Sequence, residues 1–140
     1  MLTTLHILSV GTPESNDFVR DALLSRTKCQ LMAAASVWDL SALLVSDKVD
    51  VAILHGTLSP AELRSCAAYV RHHWPAAQIL LVHAHADFLD DPMYDERIPP
   101  GSPMDVFLTT IERLAAFARR TARHAVNLQP GQTNSCRRRT

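Results

Sequence analysis

The sequence predicts a doubly wound α/β fold: a parallel sheet of four or five strands with helices on both faces. Two observations carry this. Short apolar runs recur along the chain (Leu5-His6-Ile7-Leu8-Ser9-Val10, Val51-Ala52-Ile53-Leu54, Ile79-Leu80-Leu81-Val82) without the polar alternation of a half-exposed strand. Segments with helical spacing separate them, as parallel pairing requires, and right-handed crossovers then place helices on both sides of the sheet.

Each element has its own grounds. The first run stops at Gly11-Thr12-Pro13 and reads as a buried strand. Phe18, Val19, Ala22 and Leu23 then share one side of a helix, with Ser15 or Asn16 as its cap. A weaker strand is expected from Gln30 to Ala35, because alanines are poor strand formers. Val37 to Val45 has helical spacing behind Ser36. The strand at Val51 follows Asp50 and ends in His55-Gly56. Pro60 suits a first helical turn, and the helix from Ala61 to His73 must stop before Trp74-Pro75. Ile79 to Val82 is the fourth strand. Ser102 and Pro103 open a last helix from about Met104 to Val126, whose positions Phe107, Ile111, Leu114, Phe117 and Ala118 are expected to form one apolar stripe. At about 34 Å, it is longer than the domain needs, and its outer part is a candidate surface for a second copy or a partner.

The 140 residues fit one domain, expected over residues 1–126, followed by a polar tail over 127–140 that reads as disordered. Net charge is zero, yet residues 1–118 hold all 14 acids and only 8 bases, while Arg119, Arg120, Arg123, Arg137, Arg138 and Arg139 follow. An acidic body argues against nucleic-acid binding, except weakly through the arginine tail. Cys29, Cys66 and Cys136 have neither even number nor CxxC spacing and read as a reduced, cytosolic set. Neither a secretory signal nor a membrane span is expected, since no apolar stretch approaches the roughly 20 residues required.

In doubly wound folds functional groups gather at the carboxyl ends of the strands. Here those ends are Gly11-Thr12, His55-Gly56 and His83-Ala84-His85. The segment His83-Ala84-His85-Ala86-Asp87 has the form H-x-H-x-D, and imidazoles with a carboxylate suit zinc. It resembles the metal motif of the metallo-β-lactamase superfamily, but Phe88 stands where that motif has a further histidine, and only His124 follows. His55, His83 and His85 are a possible metal or ligand site at the carboxyl edge of the sheet; otherwise the imidazoles fill the space and bond to each other or to carbonyls. His72-His73 reads as a helix end, and the acidic stretch Asp87 to Glu96 as a solvated loop without the glycine of a calcium loop.

Over residues 3–120 the chain resembles the receiver domain of bacterial response regulators. Val49-Asp50-Val51-Ala52-Ile53-Leu54-His55 is similar to the family's "PDLVLLD" strand. Glu62 to His85 is similar to its third helix, "HP" turn and fourth strand ending in "TAHAD". Pro99-Pro100-Gly101-Ser102-Pro103 is similar to "KPFSP". The resemblance implies five strands in the order 2-1-3-4-5. The chain between His83 and Pro100 is short for the family, so the family's fourth helix should be lost or reduced, with a short fifth strand near Glu96-Arg97-Ile98.

The resemblance also implies which groups are missing. His55 stands where the family has its phosphoaccepting aspartate, His83 where it has a hydroxyl residue, and Pro99 where it has a lysine. Gly11 and Thr12 stand where it has magnesium-binding acids. Phosphoryl transfer depends on charge placed around the metal and the transferred group. The expectation is therefore a degenerate pseudo-receiver: not an enzyme, with no cofactor, magnesium or phosphoryl donor. It would act by protein–protein contact in bacterial signalling, as a homodimer or with another protein.

Overall fold

The computed structural model describes residues 5–24, 29–42, 48–82 and 93–128. In chain order they form β1 (Leu5–Val10), α1 (Pro13–Leu24), β2 (Cys29–Ala34), α2 (Val37–Ser41), β3 (Val51–His55), α3 (Pro60–His73), β4 (Gln78–Val82), β5 (Glu96–Ile98) and α4 (Met104–Leu128). The five strands are all parallel, in the order β2-β1-β3-β4-β5, as expected.

Both faces of the sheet are covered, which is why its strands read as continuous apolar runs. Because side chains alternate along a strand, Leu8, Val10, Ala52, Leu54, Ile79 and Leu81 face one layer. There they meet Leu40 of α2 and Leu63, Cys66, Ala67 and Val70 of α3. Ile7, Val51, Ile53, Leu80, Val82 and Ile98 face the other layer, with Val19 and Leu23 of α1 and Phe107, Ile111 and Leu114 of α4.

The helix starts follow capping chemistry. Ser59 accepts from the Glu62 amide and Pro60 occupies the first turn of α3. Ser36 caps α2 through the Asp39 amide. For α1 the expected caps Ser15 and Asn16 are displaced by Thr12, whose Oγ1 accepts from the Ser15 amide at 3.2 Å and whose carbonyl accepts from Asn16 N. Pro13 fixes the reason: it favours the first helical position, which moves the cap one residue before it. At α4 the Pro103 carbonyl takes the first helical bonds. Ser102 Oγ donates backward to the Pro99 carbonyl, while Gly101 turns the chain at φ 84°.

Two aspartates fasten strand starts. Asp50, just before β3, accepts the His6 amide at Oδ2 (2.9 Å) and donates its own N–H to the His6 carbonyl. Asp95, just before β5, does the same with Ile79 (2.7 and 2.9 Å) and pairs with Arg71 at 3.1 Å. The expected solvated loop therefore ends in an anchoring residue.

The last helix corrects one expectation. Phe107, Ile111, Leu114 and Ala118 are buried against the sheet together with Leu108 and Ala115, whereas Phe117 is 48% exposed. Phe117 lies outside the stripe because ten positions from Phe107 at 100° each place it far from the buried face. Phe107, Ile111 and Leu114, packed into the core layer on this face of the sheet, are not available to a partner. α4 continues two residues past the expected domain end, to Leu128. Of the expected tail, residues 129–140, and of the stretch expected in place of a fourth helix, residues 87–92, lie outside the described residues.

Candidate functional site

The carboxyl edge of the sheet is built by β1, β3 and the start of α1. The ladder pairs Ser9 with Ile53 and Val10 with Leu54, so continuing the register puts Gly11 opposite His55. His55 is 3% exposed and lies directly against Gly11. A Cβ at position 11 would come within 2.8–2.9 Å of the imidazole and Cβ of His55, closer than real Cβ contacts. Gly11 is required here for close approach, and its N–H donates to the Ala34 carbonyl at 3.0 Å.

The imidazole does not sit in an apolar hole. His55 Nε2 is 3.0 Å from Ser9 Oγ, and Ser9 is fully buried. Ser9 Oγ donates to Asn16 Oδ1 at 2.7 Å. Asn16 Nδ2 donates to the carbonyls of Gly11 (3.2 Å) and Ala34 (3.3 Å). Because the serine proton goes to Asn16, the bond at Nε2 is donated by the imidazole, which assigns the tautomer bearing hydrogen on Nε2. The chain of bonds runs in one direction from His55 through Ser9 to Asn16 and satisfies each member, as buried polar groups demand.

This geometry limits the chemistry. A serine beside a histidine at 3.0 Å has the spacing of an activated nucleophile. Here the hydroxyl proton is committed to Asn16 rather than to the imidazole, and the oxygen is closed to solvent. The pair ties β1, β3, α1 and the end of β2 together; it does not present a nucleophile.

Of the sequence-predicted positions, the structure brings Gly11 and His55 into contact. Thr12 turns away into the cap of α1, bonding to Ser15. Pro99 follows β5 at the far side of the sheet, exposed, its carbonyl taken by Ser102. His83 and His85 lie outside the described residues. Among the described residues no three His, Cys, Asp or Glu side chains cluster as metal ligands. Ser9 and Asn16 complete this network and are not among the predicted site residues, Asn16 being expected only as a helix cap. The available signal was a lone hydroxyl in the otherwise apolar Leu8-Ser9-Val10.

Solved structures place this architecture. The chain superposes on the signal receiver domain of an HD domain-containing protein from Pseudomonas fluorescens Pf-5 with a TM-score of 0.71 and 16% identity, covering 88% of this chain and 96% of that one. The fold is that of the response-regulator receiver domain. A structure described as adenylate cyclase from Rhodopirellula baltica is similar at TM-score 0.75 and 13% identity, over 91% and 98% of the two chains. The chemotaxis response regulator CheY4 of Vibrio cholerae matches at 0.66 and 15% identity, over 80% and 99%. No family model matches the sequence. No curated protein matches it either. No described helix is long and apolar enough to cross a membrane.

Proposed function

We propose that this protein is a pseudo-receiver: a receiver fold that works by protein–protein contact in bacterial signalling without being phosphorylated. The observation that carries the reading is His55, seated against Gly11 and bonded through Ser9 to Asn16. An imidazole cannot form the acyl phosphate an aspartate forms. The hydrogen-bond chain that starts at its Nε2 runs to a hydroxyl, an amide and backbone carbonyls, which carry no formal negative charge to hold magnesium. A buried network that is already satisfied is held in one arrangement, which supports constitutive rather than phosphorylation-gated binding. The receiver neighbours, one of them a beryllofluoride-activated receiver dimer, support the signalling class by analogy of fold.

The contact surface is the outward side of α4, with self-association the form proposed. Val106 and Phe117 are 44% and 48% exposed. Eleven residues apart, they lie within about 20° on the helix surface. Arg120 covers the Phe117 ring at 5.9 Å, and Arg113 reaches Glu96 at 3.2 Å beside them. Aromatic and arginine side chains together are the composition of interaction hot spots.

The test is an amide NMR titration with magnesium and beryllofluoride, alongside incubation with acetyl phosphate. Unchanged spectra and unchanged mass are expected. Shifts centred on Gly11 and His55, or an added phosphoryl mass, would refute the reading. Sedimentation of the wild type and of Phe117→Asp addresses the surface: the variant should fall to the monomer mass while keeping its circular dichroism.

A further inference from the structure

The opposite, amino-terminal edge of the sheet holds a cavity that the pseudo-receiver reading does not use. It has a volume of about 300 Å³ and opens where the approach to β3, the end of α3 and the outer part of α4 meet. Trp74, Ala77 and Ala118 give it apolar walls, and His73 stands beside them, its ring 4.1 Å from that of Tyr69.

Two charged residues line the same cavity, Lys48 and Asp50. Among the described residues, neither has its bonding capacity filled. Asp50 engages the His6 amide and imidazole through Oδ2 alone, at 2.9 and 3.6 Å, which leaves Oδ1 to accept. The Lys48 ammonium has no ion pair or hydrogen bond among the described residues. α3 also ends here, with Trp74 as its C-cap, so the partial negative charge of its last carbonyls lies on the α3 side of the cavity. The cavity therefore offers a cation, a carboxylate oxygen beside a helix C-terminus, and an apolar floor.

We propose that this cavity binds a free α-amino acid with an apolar side chain. The ligand carboxylate pairs with Lys48, its ammonium with Asp50 Oδ1 and the end of α3, and its side chain lies on Trp74, Ala77 and Ala118. The volume equals roughly ten water volumes at about 30 Å³ each, room for one molecule the size of leucine. Both ion pairs are partly open to water, so the affinity is modest, with Kd on the order of 0.1–1 mM.

The full chain is titrated with L-leucine by amide NMR, in parallel with leucinamide, which lacks the carboxylate, and N-acetyl-leucine, which lacks the ammonium. Saturable shifts are expected at residues 48–50 and 73–77, and each capped analogue should bind at least about tenfold more weakly, as loss of a charged hydrogen bond implies. Lys48→Met should bind leucine and leucinamide alike. Ala118→Leu should crowd the apolar wall and weaken binding at least about tenfold, with circular dichroism checking that the fold is intact. The proposal is overturned if leucine gives no saturable shift at about 20 mM, or if the capped analogues bind as well as leucine. Phosphoryl insensitivity at the other edge is read separately, so either proposal can fail alone.

Discussion

A single methyl group at position 11 would collide with the His55 ring, and the energy of that collision is measurable. Gly11→Ala should destabilise the protein by roughly 1–3 kcal/mol, the usual cost of overpacking. In urea denaturation the double variant Gly11→Ala/His55→Ala should lose less than the two single changes added together, because removing the ring removes the clash. Asn16→Ala should cost about 1–3 kcal/mol, since it removes the acceptor of the buried Ser9 hydroxyl and the donor to the Gly11 carbonyl, while the Ala34 carbonyl keeps the Gly11 N–H. A cost within a few tenths of zero would mean the network is not holding the strands. A third group gives a pH dependence. Burial, and behind it the charge of Glu62, pushes the Cys66 thiol from 9.0 up to about 11. The folded protein holds that proton where the unfolded chain has released it, so stability should fall as pH climbs from 9.0 toward 11. Thermal melts across that range check this, with Cys66→Ala expected to flatten the dependence. At this scale the sequence is only half legible. His55 and Gly11 are conspicuous at a strand end, but Ser9 gains meaning only once the register sets it beside Ile53, two residues before His55 on the same face.

Elements were far easier to read than contacts. Capping and proline chemistry place the start of α3 at Pro60, and Glu96-Arg97-Ile98 is the fifth strand where it was expected. The miss in α4 has a physical origin. Phe117 is apolar, and at helical spacing a hydrophobic residue at the edge of a stripe looks the same in sequence whether it packs inward or outward. Its exposure separates it from Ile111 experimentally. Ile111→Ala, fully buried against the sheet, should cost about 2–5 kcal/mol, whereas Phe117→Ala should change monomer stability by less than about 0.5 kcal/mol. Equal costs would put Phe117 in the core. The aspartate anchors were illegible because their partners, the amides of His6 and Ile79, belong to strands far away in sequence. Asp95→Ala should loosen β5 by about 1–3 kcal/mol through the lost Ile79 and Arg71 bonds, seen as faster amide exchange at Glu96 to Ile98.

For the molecule as a whole, the two apolar layers meet most fully on β1, β3 and β4, so native-state hydrogen exchange should be slowest there. Amides of β2 and β5, at the sheet edges, should open first. Fold class was legible because burial on both faces leaves unbroken apolar strands, a pattern written locally. Function was less so, because it depends on which strand ends come together. The seating of the imidazole on Gly11 also constrains how this sequence can change. While the ring is present, any side chain at position 11 must displace it at a cost in stability, so an acidic residue is disfavoured there until the histidine shrinks. Placing an acidic side chain at this strand end therefore has a favoured order of substitutions. Its first step opens a void beside Ser9, whose oxygen loses the imidazole donor, and so passes through a less stable protein.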